Sequence, residues 1–255
     1  MSNPRLYKLY APPTGPFRPI PLEVTVYGPH NALKTANFGA KRLLLCRKDS
    51  ACVGGLTPEI EELEYLKDKL HIPISCVIRP RGAPDASAVG ESQDYLYSDD
   101  EFAEMCDSIL KLKETGVMNP LRGDSFVFGS KPYGCVFNRA FDHFAQSGDW
   151  SDIIPQLVNL GFTGVMTTGG PGKFNSHVEL LGAICKQSRG IQLIIAGGFR
   201  CPEALKLRAY AHENSANTIW INGDCLRRRR HDDPETVDMD GVMDMLDLLG
   251  LQATD

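Results

Sequence analysis

The 255-residue sequence has no apolar run approaching the roughly 20 residues that a membrane-spanning helix needs. Its first 21 residues, MSNPRLYKLYAPPTGPFRPIP, are broken by prolines and hold no apolar core of signal-peptide length. Eight cysteines occur without a CxxC or CxxC…H pattern, which excludes a zinc framework read from spacing. Together these absences point to reduced thiols and a cytoplasmic location. No GxGxxG follows the first strand-like segment, which argues against a dinucleotide-binding fold. Charge of one sign is also lacking. With 32 acidic and 27 basic side chains the formal charge is −5, so neither nucleic acid nor an anionic membrane is an expected partner.

What is there is an alternation of strand and helix patterns. Strand-like runs are LEVTV (22–26), RLLLC (42–46), ISCVIR (74–79), SFVFG (125–129), CVFN (135–138), GVMTT (164–168), QLIIAG (192–197) and TIWING (218–223). Helical stretches are expected at Asn31–Phe38, Pro58–Leu70, Ser98–Thr115, Asp149–Leu160, Asn175–Gln187, Pro202–Glu213 and Pro234–Leu249. The third opens with a Ser-x-x-Glu capping box. Eight strands alternating with helices predict a (β/α)8 barrel of TIM type, with an open doubly wound sheet as the alternative. Residues 22–255 are expected to form this single domain, and 1–21 a proline-rich arm.

The rhythm breaks once. Only six residues, Gly129 to Gly134, separate Ser125–Phe128 of the fourth run from Cys135–Asn138 of the fifth, and parallel neighbours ordinarily need a crossover of a dozen or more. An antiparallel hairpin around KPYG, a run outside the sheet, or a lost helix each accounts for the spacing.

Seven segments, LEVTV, GAKRLLLC, GGLTP, IRPRG, YSDDEF, FVFG and FNRAFD, occur in an order and spacing that resembles the CutC family of copper-homeostasis proteins. The resemblance runs from about Leu22 to Gly198. It implies a (β/α)8 barrel, incomplete or rearranged at the fourth unit because about one helix and its flanking turn are missing between Ser130 and Lys131. It also marks residues 83–94 as an insertion. Loss of that helix implies an uncovered outer face on strands four and five, including Val127 and either Phe126 or Phe128. The chain would then be marginally stable, or self-associated as a homo-oligomer through this face.

Strand alternation places Glu23 and Thr25 toward the barrel interior, with Leu44 and Cys46 on the second strand, Val77 and Arg79 on the third, and Asn138 closing the fifth. The C-terminal ends of barrel strands are where this architecture carries chemistry. The resemblance implies a Cys, a Glu and a His where this chain has Thr25, Leu44 and Asn138, while Glu23, Cys46, Arg79, Arg81, Arg139 and Asp142 are kept. Thr25 removes one soft ligand for monovalent copper, and Leu44 and Asn138 remove acid–base groups.

Each candidate has a second reading. Glu23 and Asp142 are the acid–base candidates, yet Glu23 with Arg79 also suits an interior ion pair. Cys46 is the candidate metal ligand, or a small buried hydrophobe. Arg79 and Arg81 flank a proline and suit a carboxylate or phosphate, or pair with acidic neighbours such as Asp99 or Asp142. Gly169, Gly170, Gly197 and Gly198 end strands six and seven, where backbone N–H groups approach phosphates, and where tight turns also require glycine. RRRR (227–230) reads as a solvated loop, and His143 and His177 as surface or capping residues. Three functions follow: copper binding or tolerance implied by the resemblance, with a copper ion as ligand; a barrel enzyme, or its remnant, for a small anionic substrate; and a catalytically silent scaffold.

Overall fold

In the computed structural model the described residues are 19–82, 95, 97–128, 134–170, 172, 174–197, 219–227 and 233–250. The insertion at 83–94, the Ser130–Lys131 junction, Gly198, the expected helix Pro202–Glu213 and Arg228 to Arg230 lie outside them.

Eight strands form a closed, wholly parallel barrel in chain order. They are β1 (Leu22–Tyr27), β2 (Arg42–Cys46), β3 (Ile74–Val77), β4 (Ser125–Val127), β5 (Gly134–Phe137), β6 (Gly164–Thr167), β7 (Gln192–Ile195) and β8 (Ile219–Gly223). The barrel closes where β8 pairs with β1, Asn222 beside Glu23. Outside it lie α1 (Pro29–Ala36), α2 (Ile60–Glu64), α3 (Asp99–Glu114), α4 (Phe141–Ser147), α5 (Trp150–Asn159), α6 (Val178–Gln187) and α7 (Met239–Leu248).

Period-two alternation sorts the side chains into two cores. Leu22, Val24, Val26, Leu43, Leu45, Ile74 and Cys76 point outward and join Met105, Leu112, Leu181 and Leu246 from the helices in one large layer. Leu44, Val127, Val136, Met166, Ile194 and Ala196 form a separate cluster inside the barrel. Burial on the order of 1.5–3 kcal/mol per large apolar side chain makes the outer layer the main source of stability.

The fourth and fifth strands settle the spacing question. They pair in parallel, with Ser125 beside Gly134 and Val127 beside Val136, so neither a hairpin nor a strand outside the sheet is present. Six residues, 128–133, make the return. A link of that length reaches about 20 Å, and a three-residue strand needs only about 10 Å of return plus one inter-strand step. A helix is the usual crossover, but short strands do not demand one.

The expected exposure of this face is corrected. Phe126 is fully buried, and Val127 faces the barrel interior. Phe128 is held at φ 92°, a left-handed conformation rare outside glycine, while its N–H donates to the Val136 carbonyl at 2.7 Å. Its ring stands edge-on to Tyr97 at 6.3 Å and lies 6.2 Å from Phe137, which meets Phe162 edge-on at 5.4 Å. A row of four half-buried aromatic rings thus covers part of the strip that a helix would have covered. Helix α4 was not anticipated. RAFD turns into it because Asn138 Oδ1 accepts the Ala140 N–H at 3.0 Å and starts the turn.

Candidate site at the barrel mouth

Arg79 lies two residues beyond the end of β3 and is buried. The β2–α2 loop folds over it: its Nη1 donates to the Val53 carbonyl at 2.8 Å and the Gly55 carbonyl at 3.0 Å, and its backbone N–H donates to Thr57 Oγ1 at 2.7 Å. Cys46 closes β2 beneath the same loop. A side chain on Gly55 would come within 2.7 Å of its sulfur, and Gly55 also has φ 85°, so only glycine fits there. Burial pushes the Cys46 thiol up, against the pull of the Arg79 guanidinium, while Glu235 and Glu23 act with burial. The neighbouring Tyr27 hydroxyl is raised by burial and by Cys46, Asp224 and Glu235.

Glu235, from the segment before α7, anchors this loop. Its carboxylate accepts the Asp49 N–H at 2.6 Å and the Ala51 N–H at 2.8 Å. Arg81, further out, pairs with Glu101 of the α3 capping box and sits over the Tyr97 ring.

On the opposite side of the mouth, Asp142 accepts from Thr167 Oγ1 at 2.5 Å, Thr168 N–H at 2.9 Å, Thr168 Oγ1 at 2.8 Å and Arg139 Nε at 3.0 Å. Four donors saturate most of a carboxylate's acceptor capacity and tie α4 to the end of β6. Gly169 donates its N–H to Thr167 Oγ1 at 2.9 Å, and the Gly170 carbonyl lies 2.6 Å from Thr168 Oγ1, as the alternative acceptor of the same hydroxyl proton. At Gly170 an added Cβ would meet the His177 ring at 2.9 Å. At Gly197 it would meet Thr168 at 2.8 Å.

Glu23 lies elsewhere. It is the second residue of β1, low in the barrel, and fully buried. Arg42 Nε donates to Oε2, and Asn222 Nδ2 donates to Oε1 at 2.8 Å. Thr25 Oγ1 donates to Asn222 Oδ1 at 3.1 Å, and Arg42 Nη1 to Gln192 Oε1 at 2.8 Å, with the guanidinium 4.1 Å from the Trp220 ring centre. This corrects the expected Glu23–Arg79 pair: the partner of Glu23 is Arg42. Strand parity carried that signal, because Arg42 shares its face with Leu44 and Cys46. Glu235 and Asn222 were also missed, since their segments follow the strands that carry the motifs.

A closed ring of eight parallel strands with helices outside it, Cys46 and Arg79 on one side of its C-terminal mouth and Asn138 and Asp142 on the other, defines a (β/α)8 barrel of TIM type. Similar folds include native xylanase 10C of Cellvibrio japonicus, at TM-score 0.51 and 9% identity over 98% of this chain and 73% of that one. A variant of that xylanase in complex with xylopentaose matches at TM-score 0.50 and 9% identity, over 94% of this chain and 69% of that one. The CutC family profile matches residues 20–212, and the chain belongs to the CutC family. CutC family proteins of Xylella fastidiosa strains 9a5c and Temecula1 are each 29% identical to it, over 89% of this chain and 84% of the relative.

The family is linked to copper homeostasis, so the donor set must be tested against copper. Among the described residues no three His, Cys, Asp or Glu side chains come together. Cys46 is sealed by Gly55, and burial favours its protonated form, while Cys52 of the same loop is exposed. Thr25 directs its hydroxyl to Asn222. Soft monovalent copper favours thiolate, and Cys46 with Thr25 offers no thiolate pair for it. No helix of the described residues is long and apolar enough to cross a membrane.

Proposed function

We propose that this CutC-family barrel serves copper homeostasis as a binding protein that takes a small anion at its mouth, without acid–base turnover. The observation that carries this reading is the engagement of its acid–base candidates, Glu23 and Asp142, and of its candidate metal ligand, Cys46. Glu23 is sequestered with Arg42 and Asn222, Asp142 accepts from four donors, and Cys46 is sealed under the β2–α2 loop. A general acid or base must reach the proton it transfers, and neither Glu23 nor Asp142 is placed to do so.

Cations at the same end support the anion. Arg79, Arg81 and Arg139 stand at the C-terminal ends of β3 and β5, with Arg81 and Arg139 about one-third exposed. Guanidinium forks suit carboxylate and phosphate. The backbone around Gly169, Gly170 and Gly197 borders the same mouth, and Gly198 belongs with them in this reading.

Isothermal calorimetry with inorganic phosphate and with citrate tests it. Binding that weakens in Arg81→Ala and Arg139→Ala is expected, and absence of binding to either anion overturns it. Copper(I) competition against a chelator checks the metal side: no tight copper site that depends on Cys46 is expected, and one abolished by Cys46→Ser overturns the assignment.

A further inference from the structure

Neighbouring helices touch around the barrel: α2 with α3, α4 with α5, and α5 with α6. Among the described residues no comparable contact joins α3 to α4 or α5. Between them lies the fourth helix position, which the six-residue link from β4 to β5 cannot fill with a crossover helix.

Among the described residues the sides of this position are apolar and exposed. On α3 the core-facing row is Met105, Ile109 and Leu112. Phe102, Cys106 and Leu110, spaced i, i+4 and i+8, share a flank about a quarter-turn away. The right-handed order of the barrel turns that flank toward the vacant position. Phe102 is 52% exposed and Leu110 56%, and Cys106 is exposed as well. Leu160, at the end of α5, is 73% exposed. The aromatic row of Tyr97, Phe128, Phe137 and Phe162 forms the floor.

The rims are acidic. Asp99, Asp107 and Glu114 lie on α3, and Asp149 and Asp152 at the start of α5. Three cations, Lys111, Lys113 and Arg81 over the Tyr97 ring, oppose them, and Lys111 is paired with Asp107 and Arg81 with Glu101. A second copy of this chain would bring the same acidic rims and repel. We propose that the vacant fourth position is a docking groove for a basic amphipathic helix of a partner protein, about three turns long. The partner's apolar face would meet Phe102, Leu110, Leu160 and the aromatic floor, and its lysines or arginines the two acidic rims.

The test uses the full chain and two synthetic peptides of about three turns with one leucine face, one flanked by lysine and the other by glutamate. Cys106 reports the groove, and the exposed Cys52 serves as an internal control. The lysine peptide is expected to bind and to slow alkylation of Cys106 by about tenfold or more, leaving Cys52 unchanged. Leu110→Glu, at an exposed position, is expected to abolish that protection without changing the melting temperature. Equal binding of both peptides, or of neither, overturns the proposal. So does protection of Cys106 in the free monomer, which would mean that the chain covers the groove itself. Protection that rises with protein concentration would assign the groove to a second copy and overturn it equally.

Discussion

At the scale of single residues, the floor of the barrel and its mouth make opposite demands on charge. Arg42 and Glu23 form a buried pair, and Arg42 Nη2 and Trp220 Nε1 have no partner there among the described residues. Removing one member leaves the other charged and buried, so Arg42→Ala should destabilise the fold by roughly 3–5 kcal/mol in urea titration. Arg42→Met combined with Glu23→Leu should recover much of that loss, because apolar replacement of a whole pair is often neutral. A double variant no better than Arg42→Ala would contradict the pair. Cys46 gives a second check: its raised, sealed thiol should resist iodoacetamide at pH 8 in the native state, while Cys52 and Cys106 react. Parity in the sequence was enough to put Glu23 and Thr25 inside the barrel. It was not enough to choose Arg42 over Arg79, because alternation gives the face of a side chain and says nothing of its height along the axis.

The elements were legible in the sequence to within a few residues for strands such as RLLLC, where an apolar run is bounded by charged and glycine residues. Helix boundaries were looser: Pro58–Leu70 shortens to Ile60–Glu64 as a regular helix, with turns following. The parallel return from β4 to β5 was not legible, since the crossover rule that governs long strands does not bind three-residue ones. Helix α3 shows how an element end is fixed. Ser98 Oγ accepts the Glu101 N–H at 3.2 Å, and Glu101 returns the bond to the Ser98 N–H at 2.7 Å while also pairing with Arg81. The Ser98 N–H and Arg81 hold the Glu101 carboxyl below the ordinary carboxylate range. A lowered folded pKa means that the stabilisation is complete above the unfolded value and is lost as pH falls through the folded one. The protection of amides in the first turn of α3, taken relative to their intrinsic exchange rates, should therefore fall on acidification below about pH 4. Glu101→Gln should flatten that dependence, and a wild-type profile independent of pH would contradict it. Ser98→Ala should cost about 1 kcal/mol as a lost cap.

For the whole molecule, the short β4–β5 link leaves one segment of the outer layer without a crossover helix and does not open the barrel. Closure survives because β4 and β5 keep their ladder, and the core beneath survives because Phe126 stays under the outer layer while Phe128 turns its ring across the gap. The deficit is therefore confined to half-exposed rings and to Phe102, Leu110 and Leu160 on the flanks. Inserting a family-like helix between Ser130 and Lys131 would cover those groups. Burying even a few hundred Å² of apolar surface is worth several kcal/mol at ~25 cal/mol per Å². Ordering about a dozen added residues costs an amount of the same order, so the net gain should be small. The expected result is a melting temperature higher by a few degrees, since ~1 kcal/mol moves a chain of this size by roughly 2–4 °C. The inserted helix should also prevent the lysine peptide from reaching Cys106. A chain that gains tens of degrees would show that the present fold leaves far more apolar surface open than these residues do. A chain that gains nothing, yet still protects Cys106 from alkylation, would show that the added helix replaced a cover of equal quality.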